Sequence, residues 1–344
     1  MRVVVTGATG NVGTSVVRAL RDEKSVSHVI GLSRRPPNEP GFLGIEWRQV
    51  DVATDDLDPH FQHADAVIHL AWQLQPERRR RLLHDVNVVG SARVFEAAAR
   101  QEVGALLYAS SFATYSPAPV GETVDETWAT DGIATSLYSQ QKAYVERLLD
   151  RFEVQHPMVR VVRLRPGLTG KSEAASEIQR LFLGRLLPTL ASPLARFSVV
   201  PDVLGLAFQV VHTDDVAEAY RLALLGSVTG SYNIVAGQRI DANAVGREFD
   251  LHVLPVGPHL SRTVAALGYH LRLQPAEPGW FDLAFQSPFL DTRLAAKELG
   301  WTPAYSSFAV LSEVAEGLDA GAGLPTPPLR PGPGLGRRAR QGRH

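Results

Sequence analysis

The chain has 344 residues, of which 44% are hydrophobic, and its 35 Lys and Arg against 36 Asp and Glu leave a formal net charge of −1. This length and composition predict one large folded domain or two ordinary ones, and they exclude a disordered, collagen-like or small disulfide-stapled chain. The lack of cysteine excludes disulfides, thiolate metal sites and a cysteine nucleophile, we expect no metal, and the balanced charge argues against a nucleic-acid-binding protein.

Short apolar runs alternate with helical patterns over the first half of the chain. Such alternation predicts a mostly parallel sheet with helices on both faces, because strands buried on both sides are continuously apolar. The predicted strands are Arg2–Val5, Ser27–Leu32, Ile45–Val50, Ala66–Leu70, Ala105–Ala109, Val159–Leu164, Val210–His212 and Tyr232–Val235. The predicted helices are Thr14–Arg21, Val86–Arg100, Tyr138–Arg151 and Asp214–Leu225. We therefore predict an α/β fold with a Rossmann-like, doubly wound parallel sheet.

The alternation stops after Pro166, where the chain becomes rich in Leu, Phe, Val and Pro. We expect a smaller, discontinuous C-terminal substrate lobe there, interrupted by a return of the chain to the first domain. From residue 324 onward Pro, Gly and Arg dominate, so residues 324–344 are predicted to be a disordered tail. The predicted boundaries are 1–165 and 209–238 for the Rossmann-like domain, and 166–208 and 239–320 for the smaller lobe.

No feature of the sequence predicts export or membrane insertion. The apolar run Val3–Val5 is too short for a signal peptide, and no stretch of about 20 residues is apolar enough to span a membrane. The arginines at 78–81 are expected to form a solvated face. We therefore expect a cytoplasmic protein with neither nucleic acid nor a membrane as partner.

A glycine-rich loop, Thr6–Gly13, joins the first strand to the first helix. A strand followed by a glycine turn and a helix is the arrangement that places a pyrophosphate at a helix N-terminus. Gly7 would allow the tight turn, Gly10 the close approach of the phosphates, and Gly13 the packing of the helix on the sheet. A plain turn between strand and helix is the alternative, because glycine is common in any loop.

The second strand ends at Ser33, Arg34 and Arg35, about where the adenosine ribose of a dinucleotide would lie. An acidic residue there binds the ribose 2′-hydroxyl of NAD, whereas an arginine accommodates the 2′-phosphate of NADP. Residues 31–35 contain no acid, so we expect NADP to be preferred over NAD; two solvated arginines are the alternative. Asp51, which ends the third strand, is a candidate acceptor for the adenine amino group or a simple turn residue.

Tyr138 and Lys142 lie four residues apart, and therefore on one face of the predicted helix. A neighbouring ammonium favours the phenolate, and the lysine charge together with an oxidised nicotinamide is expected to lower the tyrosine pKa from about 10. The tyrosine would then exchange a proton with a carbinol or carbonyl oxygen while hydride passes to or from a cofactor. Only 4 lysines occur beside 31 arginines, and a compact ammonium suits this position better than a guanidinium.

A third candidate hydroxyl follows the fifth strand, at the edge where ligands bind in open α/β sheets. Ser111 is our choice for the group that donates a hydrogen bond to the reacting oxygen. Ser110 and Thr114 are alternatives, and a serine at a strand end also commonly forms a turn.

These residues together resemble the extended short-chain dehydrogenase/reductase family, of the NAD(P)-dependent epimerase/dehydratase type. The resemblance follows the family order over residues 1–220 and is only general beyond them. The matching segments are Thr6–Gly13, Asp51–Val52, His69–Ala71, Asn87–Gly90, Ser110–Ser111, Tyr138 with Lys142, Leu164–Gly167 and Val211–Val216.

The resemblance implies that Tyr138 is the acid/base, that Ser111 is its partner, and that Lys142 also bonds the nicotinamide ribose. It places the substrate between the two lobes. Family members are often dimers packed through the helices that correspond to 86–100 and 138–151, so a homodimer is expected. The expected cofactor-binding residues are Gly7, Thr9, Gly10, Asn11, Val12, Gly13, Ser33, Arg34, Arg35, Asp51, Val52, Leu70, Ala71, Trp72, Asn87, Ala109, Tyr138, Lys142, Pro166, Gly167 and Leu168.

The sequence departs from the family pattern near the substrate. Members acting on nucleotide sugars usually carry an Asn soon after the sixth strand, but Pro166–Gly170 contains none, and Trp72 is bulkier than the small residue common at its position. An apolar stretch would suit a hydrophobic substrate, with core or interface as the alternative. Its residues are Phe182, Leu183, Leu186, Leu187, Phe197, Val199, Val200, Leu204 and Phe208.

The sequence therefore predicts an NAD(P)-dependent oxidoreductase or epimerase that transfers hydride at a secondary alcohol or ketone carbon of a small molecule. One alternative is a nucleotide-sugar epimerase or dehydratase with recycled NAD. The other is a non-catalytic NADP-binding sensor on the same fold, although such proteins typically lose the Tyr and Lys pair that this chain keeps.

Overall fold

A computed structural model describes residues 1–39, 41–74, 79–183, 199–203, 206–257 and 278–334. Its strands are β1 Arg2–Thr6, β2 His28–Ser33, β3 Glu46–Gln49, β4 Ala66–His69, β5 Ala105–Ala109, β6 Thr123–Val124, β7 Arg160–Pro166, β8 Leu168–Gly170, β9 Val199–Val203, β10 Ala207–His212, β11 Gly230–Ile234, β12 Arg239–Asp241, β13 His252–Val256 and β14 Phe289–Leu290. Its α-helices are α1 Asn11–Arg21, α2 Asp58–Phe61, α3 Arg80–His84, α4 Gly90–Arg100, α5 Leu137–Gln155, α6 Ala175–Ile178, α7 Thr213–Leu225, α8 Ala242–Phe249, α9 Gly279–Gln286 and α10 Ser307–Ala320.

Seven parallel strands form the central sheet, in the order β3-β2-β1-β4-β5-β7-β11. The strand order reverses at β1, which pairs with β2 on one side and with β4 on the other. A crevice opens beyond the carboxyl ends of the strands at such a reversal, which is where doubly wound sheets bind ligands. The predicted Rossmann-like fold is confirmed.

Successive side chains of β1 point to opposite faces of the sheet. Both faces are buried, so an apolar residue is needed at every position of the strand. Val3 and Val5 are fully buried against α1 and α7 on one face of the sheet, and Val4 is fully buried on the other face with α4 and α5. Both faces are therefore covered by helices, as parallel sheets require. No helix in the described part of the chain is long and apolar enough to cross a membrane.

Smaller sheets lie outside the central one. The predicted strand Val210–His212 belongs to one of them, because β10 pairs with β8 in parallel and with β12 in antiparallel fashion. β13 pairs with β9, and β14 with β6. Of the apolar stretch expected to suit a hydrophobic substrate, only Phe208 has a described side chain, and its backbone pairs with Ile240. Phe182, Leu183, Val199 and Val200 are described in their backbone alone, and Leu186, Leu187, Phe197 and Leu204 lie outside the described residues.

The segment after α10 differs from the disordered tail that its composition predicted. Leu329 is fully buried and Thr326 is 1% exposed. The Leu324 amide donates to the Leu329 carbonyl at 2.7 Å, and the Gly332 amide donates to Gly321 at 3.0 Å. Pro and Gly here form tight turns against the body of the protein, a role that composition does not distinguish from disorder. Residues 335–344 lie outside the described residues.

Candidate active site

A groove opens at the carboxyl ends of β1, β2, β3 and β4, at the reversal of strand order. It contains many of the residues that the sequence assigned to a cofactor: Gly7, Thr9, Gly10, Ser33, Arg34, Arg35, Asp51, Val52, Leu70, Ala71 and Trp72. The other residues that line it are Leu32, Val50, Val86, Glu177 and Pro328. One elongated groove thus joins the glycine loop to the ends of the second and third strands.

The glycine loop has the close packing that a pyrophosphate site needs. Gly7 has φ +68°, and a Cβ there would lie 2.6 Å from the Ala71 nitrogen. A Cβ on Gly13 would lie 2.3 Å from the Gly7 oxygen, so α1 packs on β1 only with glycine at this position. The first amides of α1 have no partner within the helix and are available to an anion. These features favour an anion-binding loop over a plain turn.

The far end of the groove carries charge at its rim. Arg34 and Arg35 are both exposed, and the Arg34 guanidinium donates a hydrogen bond to the Gln73 side chain. The Ser33 hydroxyl is buried without a hydrogen-bond partner in the described part of the chain, which fits a site shaped for a polar ligand. Asp51 accepts the Ala53 amide at 3.0 Å, so it forms the strand-end turn while it also lines the groove.

Tyr138 and Ser111 lie side by side where β5 meets α5. Burial raises the pKa of Tyr138 to about 12, and a hydrogen bond with the Ser111 hydroxyl acts in the opposite direction. Burial of the phenol outweighs this hydrogen bond, so the residues of the protein alone do not produce the expected lowering of the tyrosine pKa. The tyrosine is therefore protonated at neutral pH, which is the form that can donate a proton.

Lys142 lies one turn after Tyr138 on α5 and is 2% exposed. Its ammonium donates to the Ala109 carbonyl at 2.6 Å and lies 3.5 Å from the centre of the Trp72 ring, a cation–π contact. Burial lowers the pKa of Lys142 well below its ordinary value, against the opposing charge of Glu146. The bulk of Trp72, a departure from the family pattern, thus covers the lysine.

Aromatic side chains enclose the tyrosine. The Trp280 ring stacks on Tyr138 at 4.9 Å between centroids, and the Trp72 ring meets it edge-on at 6.1 Å. Trp280 lies on α9, and Trp280 and Tyr138 both pack against a buried cluster that includes Leu283. This arrangement gives the acid/base candidate an apolar wall on two sides.

Asn87 holds the loop after β4 rather than facing the groove. Its carboxamide oxygen accepts the Gln73 amide at 2.7 Å, and its nitrogen donates to the Gln73 carbonyl at 3.1 Å and to Gln141 at 2.9 Å. Asn87 thus positions Gln73, whose side chain in turn accepts a hydrogen bond from Arg34, and its contact with a cofactor stays a prediction.

Ten of the predicted cofactor residues do not line the groove. The Asn11 amide donates to the Thr169 carbonyl at 3.3 Å, and the Gly167 amide donates to Ile234 at 3.1 Å. Tyr138 and Asn87 line an adjoining small pocket with Trp280. The residues concerned are Asn11, Val12, Gly13, Asn87, Ala109, Tyr138, Lys142, Pro166, Gly167 and Leu168.

A buried ion pair lies beneath the catalytic face of α5. Arg165 donates to Glu146 at 2.8 Å and 2.5 Å, and the Ser110 hydroxyl also donates to this carboxylate. Burial alone would raise the pKa of Glu146, but hydrogen bonds and charge from Arg165, with Arg163 and Ser110, hold it below its ordinary value. Glu146 follows Lys142 by one turn, so the pair fixes the helix at the site.

His69 is neutral and structural. Its ring is 1% exposed and lies 2.7 Å from the Thr6 hydroxyl and 2.9 Å from the Ser91 hydroxyl. Burial, with a smaller contribution from the Lys142 charge, lowers the pKa of His69 to about 3. In the described part of the chain, no group of three or more His, Asp or Glu side chains is placed to hold a metal ion.

Comparisons with known proteins agree with this geometry. Residues 3–235 match the model of the NAD dependent epimerase/dehydratase family. The chain is 29% identical over 177 residues to L-arabinose 1-dehydrogenase (NAD(P)(+)) of Haloferax volcanii, covering 48% of this chain and 66% of that protein. It is 29% identical over 253 residues to short-chain dehydrogenase/reductase family 42E member 1 of Macaca fascicularis, covering 69% of this chain and 61% of that protein. The chain thus spans less than two thirds of either relative's length.

The fold is shared with solved structures. UDP-glucose 4-epimerase of Thermus thermophilus, solved as a complex with NAD, superposes with a TM-score of 0.67 at 22% identity, over 92% of this chain and 99% of that one. At this identity the likeness extends to the fold alone.

Proposed function

The chain belongs to the NAD dependent epimerase/dehydratase family, and on that premise we propose that it is an NAD(P)-dependent oxidoreductase or epimerase acting at a secondary alcohol or ketone carbon. The observation that carries the proposal is the placement of Tyr138, Ser111 and Lys142 together beside the groove at the strand ends. The groove has a glycine turn that only glycine fits, an unpartnered buried serine hydroxyl and arginines at its rim, and these features suit a dinucleotide.

A bound nicotinamide supplies the hydride acceptor or donor. In the direction of reduction, Ser111 donates a hydrogen bond to the ketone oxygen, and Tyr138 gives that oxygen the proton it needs to become a hydroxyl. Oxidation runs the same proton transfer backwards and requires the phenolate. We propose that Lys142, one turn after the tyrosine on α5, bonds the nicotinamide ribose. The Trp72 and Trp280 rings pack against the tyrosine ring and hold it in place beside Ser111.

We propose a small, largely apolar ketone or alcohol as the substrate, because aromatic rings surround Tyr138 and the Asn typical of nucleotide-sugar enzymes is absent after β7. The test is to purify the protein, release any bound nucleotide, and follow nicotinamide absorbance with carbonyl compounds, aldoses and UDP-hexoses. Net oxidation of NAD(P)H by carbonyl compounds supports a reductase. A co-purified NAD with conversion only of UDP-hexoses would instead identify a nucleotide-sugar epimerase.

NADP preference follows from the two arginines at the rim. Replacing both, Arg34→Ala with Arg35→Ala, should weaken NADPH binding about 10- to 100-fold, since a hydrogen bond to a charged group contributes about 1.5–3 kcal/mol. NADH binding should change by less than about twofold, because it has no 2′-phosphate to lose. Isothermal titration measures both, with Arg81→Ala, whose side chain is 95% exposed, as the matched control. An equal loss for the two nucleotides would contradict the assignment.

Glu177 should make dinucleotide binding depend on pH. Burial raises the pKa of Glu177 to about 7, while the charges of Arg180 and Lys171 lower it. The carboxyl lines the groove, so its ionised form repels a pyrophosphate, and the protonated form binds better. Affinity for NADH should therefore fall about tenfold between about pH 6 and about pH 8, in keeping with one charge repulsion near a surface.

Glu177→Gln should remove this dependence and hold the higher affinity throughout. NADH is the probe because a 2′-phosphate would itself titrate near pH 6. Glu173→Gln is the control, since Glu173 pairs with Arg18 at 3.0 Å and does not line the groove. The same pH slope in Glu177→Gln as in the unaltered protein would show that another group is responsible.

We further propose a cytoplasmic homodimer packed through α4 and α5. Exposed apolar side chains on or next to these helices support it: Val89 is 39%, Tyr144 49% and Val154 83% exposed. Apolar side chains that form a contiguous exposed patch commonly mark an interaction surface.

A further inference from the structure

The chain returns to the glycine loop after its last helix. The Thr326 hydroxyl donates to the Thr9 carbonyl at 2.9 Å, in a fully buried contact between residues 317 positions apart. Pro328, two residues later, lines the dinucleotide groove beside Thr9 and Gly10. Residues 324–334, here called the strap, therefore contribute to the wall of the groove at its pyrophosphate end.

A guanidinium and a buried leucine hold the strap in place. The Arg180 guanidinium donates hydrogen bonds to two carbonyls of the strap, that of Pro328 at 2.5 Å and that of Arg330 at 3.1 Å. Leu329 inserts into the protein and is fully buried. A Cβ on Gly323 would lie 2.3 Å from the Leu329 oxygen, which shows how closely the turn is folded. The Arg180 guanidinium and the Thr326 hydroxyl therefore hold the strap against the glycine loop, which a segment that only ended α10 would not need.

We propose that the strap is part of the cofactor site and retains the dinucleotide once it is bound. This rests on the proposed function, which places a pyrophosphate at the glycine loop. Thr326 fixes the carbonyl of a residue in that loop, and Pro328 closes the adjoining wall. Any opening of the loop that releases the dinucleotide must break the Thr326 contact or move Pro328, and Arg180 opposes that movement. The chemical class of the retained ligand is an NAD(P) dinucleotide.

Release rates of NADH and NADPH test this directly, by stopped-flow displacement that follows nicotinamide fluorescence. Thr326→Val and Arg180→Gln should each raise the dissociation rate about threefold, and a chain ended at Gly323 should raise it at least about tenfold, because differences within one interface fall mainly on dissociation. A chain ended at Gly334 keeps the strap and should match the full chain. Amide hydrogen exchange of residues 324–334 should slow when NADH is bound.

Each outcome decides the matter. Equal dissociation rates in the full chain and in both point variants would overturn the proposed role of the strap, even if the shortened chain fails to fold. A slower release after the changes would also overturn it, since the segment would then obstruct entry. A full chain that binds neither nucleotide would instead refute the proposed function, while the contacts of the strap would stand unexplained.

Discussion

Tyr138→Phe should lower the rate of hydride transfer by about 10²- to 10⁴-fold, the range over which a positioned acid or base contributes. The change removes only the hydroxyl that the structure places beside Ser111. The ring stays, with its stacking on Trp280 and its edge contact with Trp72, so the fold and the groove should be preserved. Turnover measured with saturating nucleotide, together with nucleotide affinity by isothermal titration, separates chemistry from binding.

A matched change on the same helix serves as the control. Tyr144 is 49% exposed and belongs to neither pocket beside the site, so Tyr144→Phe should leave the rate within about twofold. Full activity in Tyr138→Phe would remove the tyrosine from the mechanism. Because the pKa of Tyr138 is raised to about 12, reduction should stay fast at neutral pH and slow only where the phenol ionises.

Glu146→Gln should lower the free energy of unfolding by about 3–5 kcal/mol, because it leaves the Arg165 guanidinium buried without its countercharge. The two side chains are 2% and 4% exposed. The lowered pKa of Glu146 fixes the sign of the pH effect: its stabilisation is present at neutral pH and is lost in acid as the carboxylate is protonated. Urea unfolding at neutral and acidic pH measures both effects.

Glu153 provides the comparison. It pairs with Arg163 at a position that is 36% exposed, so Glu153→Gln should lower the free energy of unfolding by less than about 1 kcal/mol. Replacing both buried partners, Glu146→Leu with Arg165→Met, should recover most of the loss, since an apolar pair needs no charge compensation. Equal losses for Glu146→Gln and Glu153→Gln would contradict the account of the buried pair.

The fold could be predicted where the signal is local. β1 shows this best, since the period-two burial of Val3, Val4 and Val5 on both faces follows from an unbroken apolar run. Membership of a sheet is not local, so nothing in Val210–His212 revealed that it pairs with β8 and β12 rather than with the central strands. The strap is a similar case, because a Pro- and Gly-rich composition suits disorder and tight turns equally.

The residues of the candidate site likewise fall into those that the sequence could locate and those that it could not. Residues at strand ends and in the glycine loop could be located from the order of elements, and Leu32 and Val50 could have been added as their immediate neighbours. Glu177 and Pro328 had no such signal, because only folding brings them to the groove. The spacing of Tyr138 and Lys142 showed a lysine one helical turn from the tyrosine, but it could not show the burial that raises the tyrosine pKa.

The central claim is that this chain transfers hydride beside Tyr138, and isotope transfer tests it most directly. Reduced nicotinamide nucleotide carrying deuterium at the transferred position would be incubated with the carbonyl compounds, aldoses and UDP-hexoses named above, and the products analysed by mass spectrometry. We predict deuterium on the carbinol carbon of at least one product, and its loss in Tyr138→Phe. Tight nucleotide binding with no label transferred to any compound would contradict the claim and identify a nucleotide sensor.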